Sequence, residues 1–268
     1  MTDEGASQAL PADFLNEVSN FTLRVCTPIY WHDRRLPFPK EVQGASCFIL
    51  RFGERLFGVT AAHVLQTYRD ARARNTATVC QLRFMEFAFE DAIIDSDPAL
   101  DIATFSVSDI QLKEINGTAI DCTGQWPPPT PARMRAVSLA GFPEVLRITH
   151  SDRSGEFHAY GGLSAIEDFS EREILFTFDP KREQSLNGLP LPPLGLNMSG
   201  CSGGPVLMHG QRNGLHRWFP LGLIIGGSNR DSNNERGDAD TFDTIRVRRI
   251  DLLREDGTIK RPTSGWLP

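Results

Sequence analysis

The chain has 268 residues, 40% of them hydrophobic and 23% charged, enough apolar material for one large domain or two small ones around a substantial core. A formal net charge of −6 and a pI near 5.6 give no basic surface for nucleic acid or an anionic membrane. No stretch approaches the roughly 20 apolar residues of a membrane helix, and the acidic start lacks the basic-then-apolar pattern of a signal peptide, so a cytoplasmic protein with no nucleic-acid or membrane partner is expected.

In chain order, residues 1–18 read as an arm or short helix with Pro11 at its first turn, and residues 21–25 alternate as a strand. Residues 44–52 and 56–60, joined by a turn at 53–55, predict a β-hairpin. The pattern turns helical from Ala61, which puts His63 at a strand-to-helix corner. Strands are expected at 79–89 and 102–107, with an acidic loop between them that ends on Asp101. That loop is not an EF-hand, because Ala99 and Leu100 stand where oxygen ligands and glycine are needed.

Residues 125–131 carry a run of prolines that cannot continue a sheet and read as a semi-rigid linker. Beyond it the second half opens with residues 134–143, and strands are expected at 157–160, 174–178, 206–208, 218–225 and 244–247, with a polar loop at 228–240. Five cysteines form an odd number without CxxC spacing. They read as free, buried thiols rather than a zinc centre or a disulfide framework, and no metal or cofactor is expected.

Three positions carry chemistry. Ser202 stands in a glycine-rich turn, Gly200-Cys201-Ser202-Gly203-Gly204-Pro205, where backbone N–H groups can crowd towards a reacting atom. A serine there is either a nucleophile, with the N–H groups of Gly200 and Ser202 as an oxyanion hole, or part of a tight turn. His63 alone is more often a hydrogen-bonded core histidine than a catalyst. Together with Asp101 they supply the base, the orienting carboxylate and the hydroxyl of acyl transfer, in the order His, Asp, Ser. An α/β-hydrolase would place its acid and histidine after the serine.

Thr60-Ala61-Ala62-His63, Asp101-Ile102-Ala103 and the 200–205 segment together resemble the three signature segments of the trypsin/chymotrypsin-like serine proteases, and the overall pattern is similar to their bacterial branch. The resemblance spans about residues 20–255. It implies an all-β fold of two antiparallel six-stranded β-barrels with a short C-terminal helix. The expected division is an arm at 1–20, a first barrel at 21–124 carrying His63 and Asp101, a linker at 125–133 and a second barrel at 134–268 carrying Ser202.

It further implies a serine endopeptidase acting on protein or peptide substrates through an acyl-enzyme intermediate. Leu196 would floor the primary pocket, with Ile225, Gly226 and Gly227 as its wall, suited to an apolar residue. Two departures stand out. Val64 replaces a disulfide cysteine, and Cys201 replaces the aspartate that pairs with a cleaved N-terminus in digestive relatives. Cys201 reads as a structural thiol rather than the nucleophile, and the site must be ordered by other contacts, by an oligomer or by a regulatory partner protein. The alternative is a trypsin-fold binding or regulatory module that is inactive or awaits such a partner.

Overall fold

The computed structural model describes residues 12–35, 42–151, 154–178, 199–212, 215–229 and 243–261. Within them the chain is mostly β-strand with few helices, gathered into two large sheets.

The first helix, α1 (Ala12–Val25), runs through the residues whose alternation suggested a strand. Val18, Thr22 and Val25 are buried at spacings of four and three, and this helical stripe overrides a five-residue alternation. The stripe docks α1 on the second sheet. Thr22 Oγ1 lies 2.6 Å from Ser138 Oγ, and the Phe21 ring packs 4.7 Å from that of Trp218.

The first sheet comprises β1 (Cys26–Asp33), β2 (Gln43–Phe52), β3 (Arg55–Thr60), β4 (Thr78–Leu82), β5 (Met85–Glu86), β6 (Ile93–Asp97), β7 (Ile102–Ser106) and β8 (Ala119–Asp121). Its order is β5-β4-β1-β2-β3-β7-β6, antiparallel along that path, with β8 parallel to β2. Three helices sit in its connections: α2 (Ala62–Arg74) after β3, α3 (Phe89–Ala92) before β6, and α4 (Asp109–Glu114) after β7. The β2–β3 hairpin turns at Gly53, whose φ of +58° is strained for other residues. The 79–89 run does not stay one strand: it breaks at Arg83, with φ +59°, into β4, β5 and α3.

The second sheet comprises β9 (Ala136–Gly141), then, past the separate hairpin of β10 (Arg147–Ser151) and β11 (Ser154–Phe157), β12 (Tyr160–Ala165), β13 (Asp168–Phe169), β14 (Glu173–Phe178), β15 (Pro205–Arg212), β16 (Leu215–Asn229) and β17 (Asp243–Arg249). Its order is β12-β9-β15-β16-β17-β14-β13. The sheets thus hold eight and seven strands rather than six; two-residue β5 and three-residue β8 account for the excess in the first. Among the described residues no strand pair closes either path.

The expected C-terminal helix is absent from residues 250–261, which form turns and a bridge between Leu253 and Ile259. The cause is packing: Ile250, Leu253 and Ile259 turn back into the core of the first sheet and are buried there. Polar contacts fix this strap to the β6–β7 hairpin. Asp95 Oδ2 accepts from the Ile259 N–H at 2.9 Å, Arg261 pairs with Asp95 at 2.6 Å, and Thr104 Oγ1 donates to the Gly257 carbonyl at 2.6 Å. In the linker, Trp126 packs edge-on to Phe52 at 5.1 Å and its Nε1–H reaches the Leu253 carbonyl at 3.3 Å. None of the described helices is long and apolar enough to cross a membrane.

Candidate active site

His63 is the second residue of α2, immediately beyond the end of β3. The first N–H groups of a helix have no partner within it, and Ala61 at the N-cap offers no side chain to bond them. Asp101 fills that role from a distant loop. Its Oδ1 accepts from the His63 backbone N–H at 2.9 Å, while His63 Nδ1 lies 2.8 Å from Oδ2 and 3.1 Å from Oδ1. One carboxylate therefore holds both the main chain and the ring of the histidine.

Asp101 reaches this place from a tight turn between β6 and β7. Its φ is +54°, a region that aspartate enters more readily than most residues. Upstream, Asp97 Oδ1 accepts from the N–H groups of Ala99 and Leu100 at 2.9 and 3.0 Å, and Leu100 is buried. Burial pushes the Asp101 carboxyl upward, but the hydrogen bonds from the His63 ring and backbone, with the charges of His63 and Arg248, outweigh it. The net result is a carboxyl held below its ordinary range. An ionised carboxylate only accepts, so Nδ1 carries a proton, and in the neutral ring the lone pair is therefore on Nε2. The His63 side chain is 46% exposed against 21% for Asp101, so the ring is open to solvent while its anchor is shielded.

The serine turn is held by its carbonyls. Those of four successive residues, Ser199 to Ser202, all accept hydrogen bonds. The donors are, in turn, Glu144 N–H at 2.8 Å, Ser46 Oγ–H at 2.8 Å, Gly204 N–H at 2.9 Å and Ser46 N–H at 2.9 Å. In a planar trans peptide the N–H points opposite to the C=O. Anchoring the Ser199 carbonyl therefore turns the Gly200 N–H away from Glu144, and anchoring the Cys201 carbonyl turns the Ser202 N–H away from Gly204. Neither amide donates within the described residues.

Two glycines make the docking possible. At Gly200, φ is +95° and a Cβ would stand 2.4 Å from the Phe142 carbonyl oxygen. At Gly203, φ is +85° and a Cβ would stand 2.1 Å from the Ser46 carbonyl oxygen and 2.3 Å from Thr60 Oγ1. The turn thus lies against Ser46 of β2 and Thr60 of β3, three residues before His63. The two halves of the chain meet here, with the His63–Asp101 pair and the half-buried Ser202 carried on adjoining segments.

Strand β16 runs beside the turn. The Gly203 N–H donates to the Ile224 carbonyl at 2.7 Å and the Ile224 N–H to the Gly204 carbonyl at 2.9 Å. Half-buried Ile225, Gly226 with φ +153° and exposed Gly227 follow directly, at a register shift against β17. Leu196, expected at the pocket floor, and most of the 228–240 loop lie outside the described residues.

Cys201 is fully buried, and burial raises its thiol to about 12, so it is neither exposed nor ionised near neutrality. Gly141 makes room for it: a Cβ there would stand 2.7 Å from Cys201 Sγ. Two residues at the site, Ser46 and Glu144, went unread in the sequence, and the backbone role of Ile224, expected only as part of the wall strand, was unread too. Glu144 and Ile224 act through the backbone, which leaves no side-chain signal, whereas Ser46 is a visible lone hydroxyl in the apolar run Ala45–Leu50. Arg248, whose alternation with Ile245 and Val247 suits a solvated face, is instead buried in β17.

Searched by sequence, the chain matches no protein-family model and none of the curated proteins. Among solved structures it is similar to the protease Anisep from Arthrobacter nicotinovorans, at 11% identity over 85% of this chain and 90% of that one, with a TM-score of 0.45. It is also similar to a serine endoprotease from Yersinia pestis, at 14% identity over 88% of this chain and 62% of that one, again with a TM-score of 0.45. These structural neighbours are proteases. The chain spans less than two thirds of the Yersinia protein, and at such identities the chemistry has to be read from the residues themselves.

Proposed function

We propose that the protein is a serine endopeptidase whose triad is His63, Asp101 and Ser202, set in a cleft between two β-barrels built on the two sheets. The supporting observation is the shared anchoring: Asp101 holds His63 by ring and backbone, and the Ser202 turn is hydrogen-bonded to the strand pair that delivers His63.

On this reading Ser202 Oγ attacks the scissile carbonyl carbon while its proton passes to His63 Nε2. The carbonyl oxygen becomes an oxyanion held by the N–H groups of Gly200 and Ser202, whose own carbonyls are tied back. Collapse of the tetrahedral adduct breaks the C–N bond, and the imidazolium gives its proton to the leaving amine. An acyl ester remains on Ser202. Water then attacks the ester as His63 takes its proton, and return of that proton to Oγ releases the acid. Asp101 keeps the ring in one tautomer and balances the imidazolium throughout.

Ile225, Gly226 and Gly227 form one wall of a pocket for an apolar side chain, and the substrate is a protein or peptide. A fluorophosphonate probe tests the triad. Wild type is labelled, and both Ser202→Ala and His63→Ala are not. A folded, monodisperse wild type that resists labelling would point instead to a binding or partner-activated module.

A further inference from the structure

We infer that Ser46 is a positioning residue for the oxyanion-binding amides; the inference rests on the hydrolase reading of Ser202. Ser46 is fully buried in the apolar run 45–50 of β2, where a hydroxyl is unfavourable unless it is fully bonded. Its polar atoms are spent on the serine turn and its supports. Oγ–H donates to the Gly200 carbonyl at 2.8 Å and Oγ accepts from the Phe142 N–H at 2.9 Å. The main-chain N–H donates to the Ser202 carbonyl at 2.9 Å, and the carbonyl accepts from Thr60 Oγ1 at 2.8 Å. The Cys26 thiol is a further neighbour of the side chain.

The two kinds of anchor act on different peptides. Ser46 N–H fixes the Ser202–Gly203 peptide and survives any side-chain truncation. The hydroxyl alone fixes the Gly200–Cys201 peptide, next to the residue with φ +95° that has most freedom to rotate. With the hydroxyl gone, the Gly200 carbonyl and the Phe142 N–H are both left unpaired in a dry site. The Ser199–Gly200 peptide, which carries the Gly200 N–H, is then held by the Glu144 N–H alone, and turning of the glycine to relieve the unpaired carbonyl pulls on that bond and takes the Gly200 N–H off its aim. The Ser202 amide, the His63–Asp101 pair and the pocket wall keep their own contacts.

The substitution is Ser46→Ala, with p-nitrophenyl acetate as substrate and an aryl boronic acid as a mimic of the tetrahedral adduct. Expected are a kcat lower by about 10- to 100-fold, short of the 10²–10³ seen when an oxyanion donor is deleted outright, and a KM within about twofold. The boronate Ki rises by the same factor as kcat falls, a correlation that general loosening would not produce. Thr22→Val removes a buried hydroxyl at the α1–β9 contact instead, and loses thermal stability while keeping kcat and the boronate Ki.

A Ser46→Ala protein that is folded and turns over at the wild-type rate refutes the positioning role alone. A drop in kcat with an unchanged boronate Ki also refutes it. A wild type that neither hydrolyses the ester nor reacts with fluorophosphonate refutes the reading of Ser202 itself.

Discussion

Replacing Asp101 by asparagine tests the base most directly. The side chain keeps its size, but one of its two oxygens becomes an NH₂ group. The His63 backbone N–H at 2.9 Å requires an acceptor, so the remaining oxygen faces it, and the NH₂ takes the place of Oδ2, 2.8 Å from Nδ1. Nδ1 must then accept, which moves the ring proton to Nε2. A protonated neutral imidazole cannot take the Ser202 proton. The loss of kcat should approach about 10⁴-fold, which is about 5.4 kcal/mol of barrier. Burst kinetics with p-nitrophenyl acetate and the rate of fluorophosphonate labelling measure it, and thermal unfolding confirms that the variant is folded. A folded Asp101→Asn protein within tenfold of wild type would show that His63 does not act as a base through this contact.

Gly203→Ala should destabilise the protein by at least about 1–3 kcal/mol, because the new Cβ meets a carbonyl oxygen at 2.1 Å with φ at +85°; an unchanged urea midpoint would show that the turn does not dock as described. Asp101 also links stability to pH. Its folded pKa lies below the ordinary 3.8, so its contribution is complete above that value and is lost as pH falls through the folded pKa. Wild type should accordingly lose more of its urea midpoint between about pH 5 and pH 3 than Asp101→Asn does, and equal slopes would contradict the shift. Finally, all five cysteines are buried and free, so a thiol reagent at pH 8 should find none in the native protein and five after denaturation. Rapid modification of Cys201 in folded protein would overturn its place in the core.

The candidate site was legible where its chemistry depends on residue type. A histidine between a strand and a helix, an aspartate opening a strand and a serine among glycines each left a local trace, and His63 and Asp101 do meet. The β2–β3 hairpin and the start of α2 were equally plain, because turn and period agree there. Elsewhere the local pattern gave way to tertiary contact. Residues 21–25 alternate, yet the buried stripe from Val18 makes them helical against the second sheet. The short C-terminal helix that the resemblance implies is not formed by residues 250–261, because Ile250, Leu253 and Ile259 each fill the core of the distant sheet. The anchors at Glu144 and Ile224 were beyond reach for a different reason: a main-chain amide looks the same whichever side chain it carries.

The strap formed by residues 250–261 has a consequence for assembly. The hairpin that presents Asp101 is clamped by Gly257, Ile259 and Arg261, some 150 positions further along the polypeptide. A nascent chain can lay down its early strands and still lack the residues that lock this hairpin in place. On the proposed triad, the pairing of Asp101 with His63 would be locked only once this late segment has folded home.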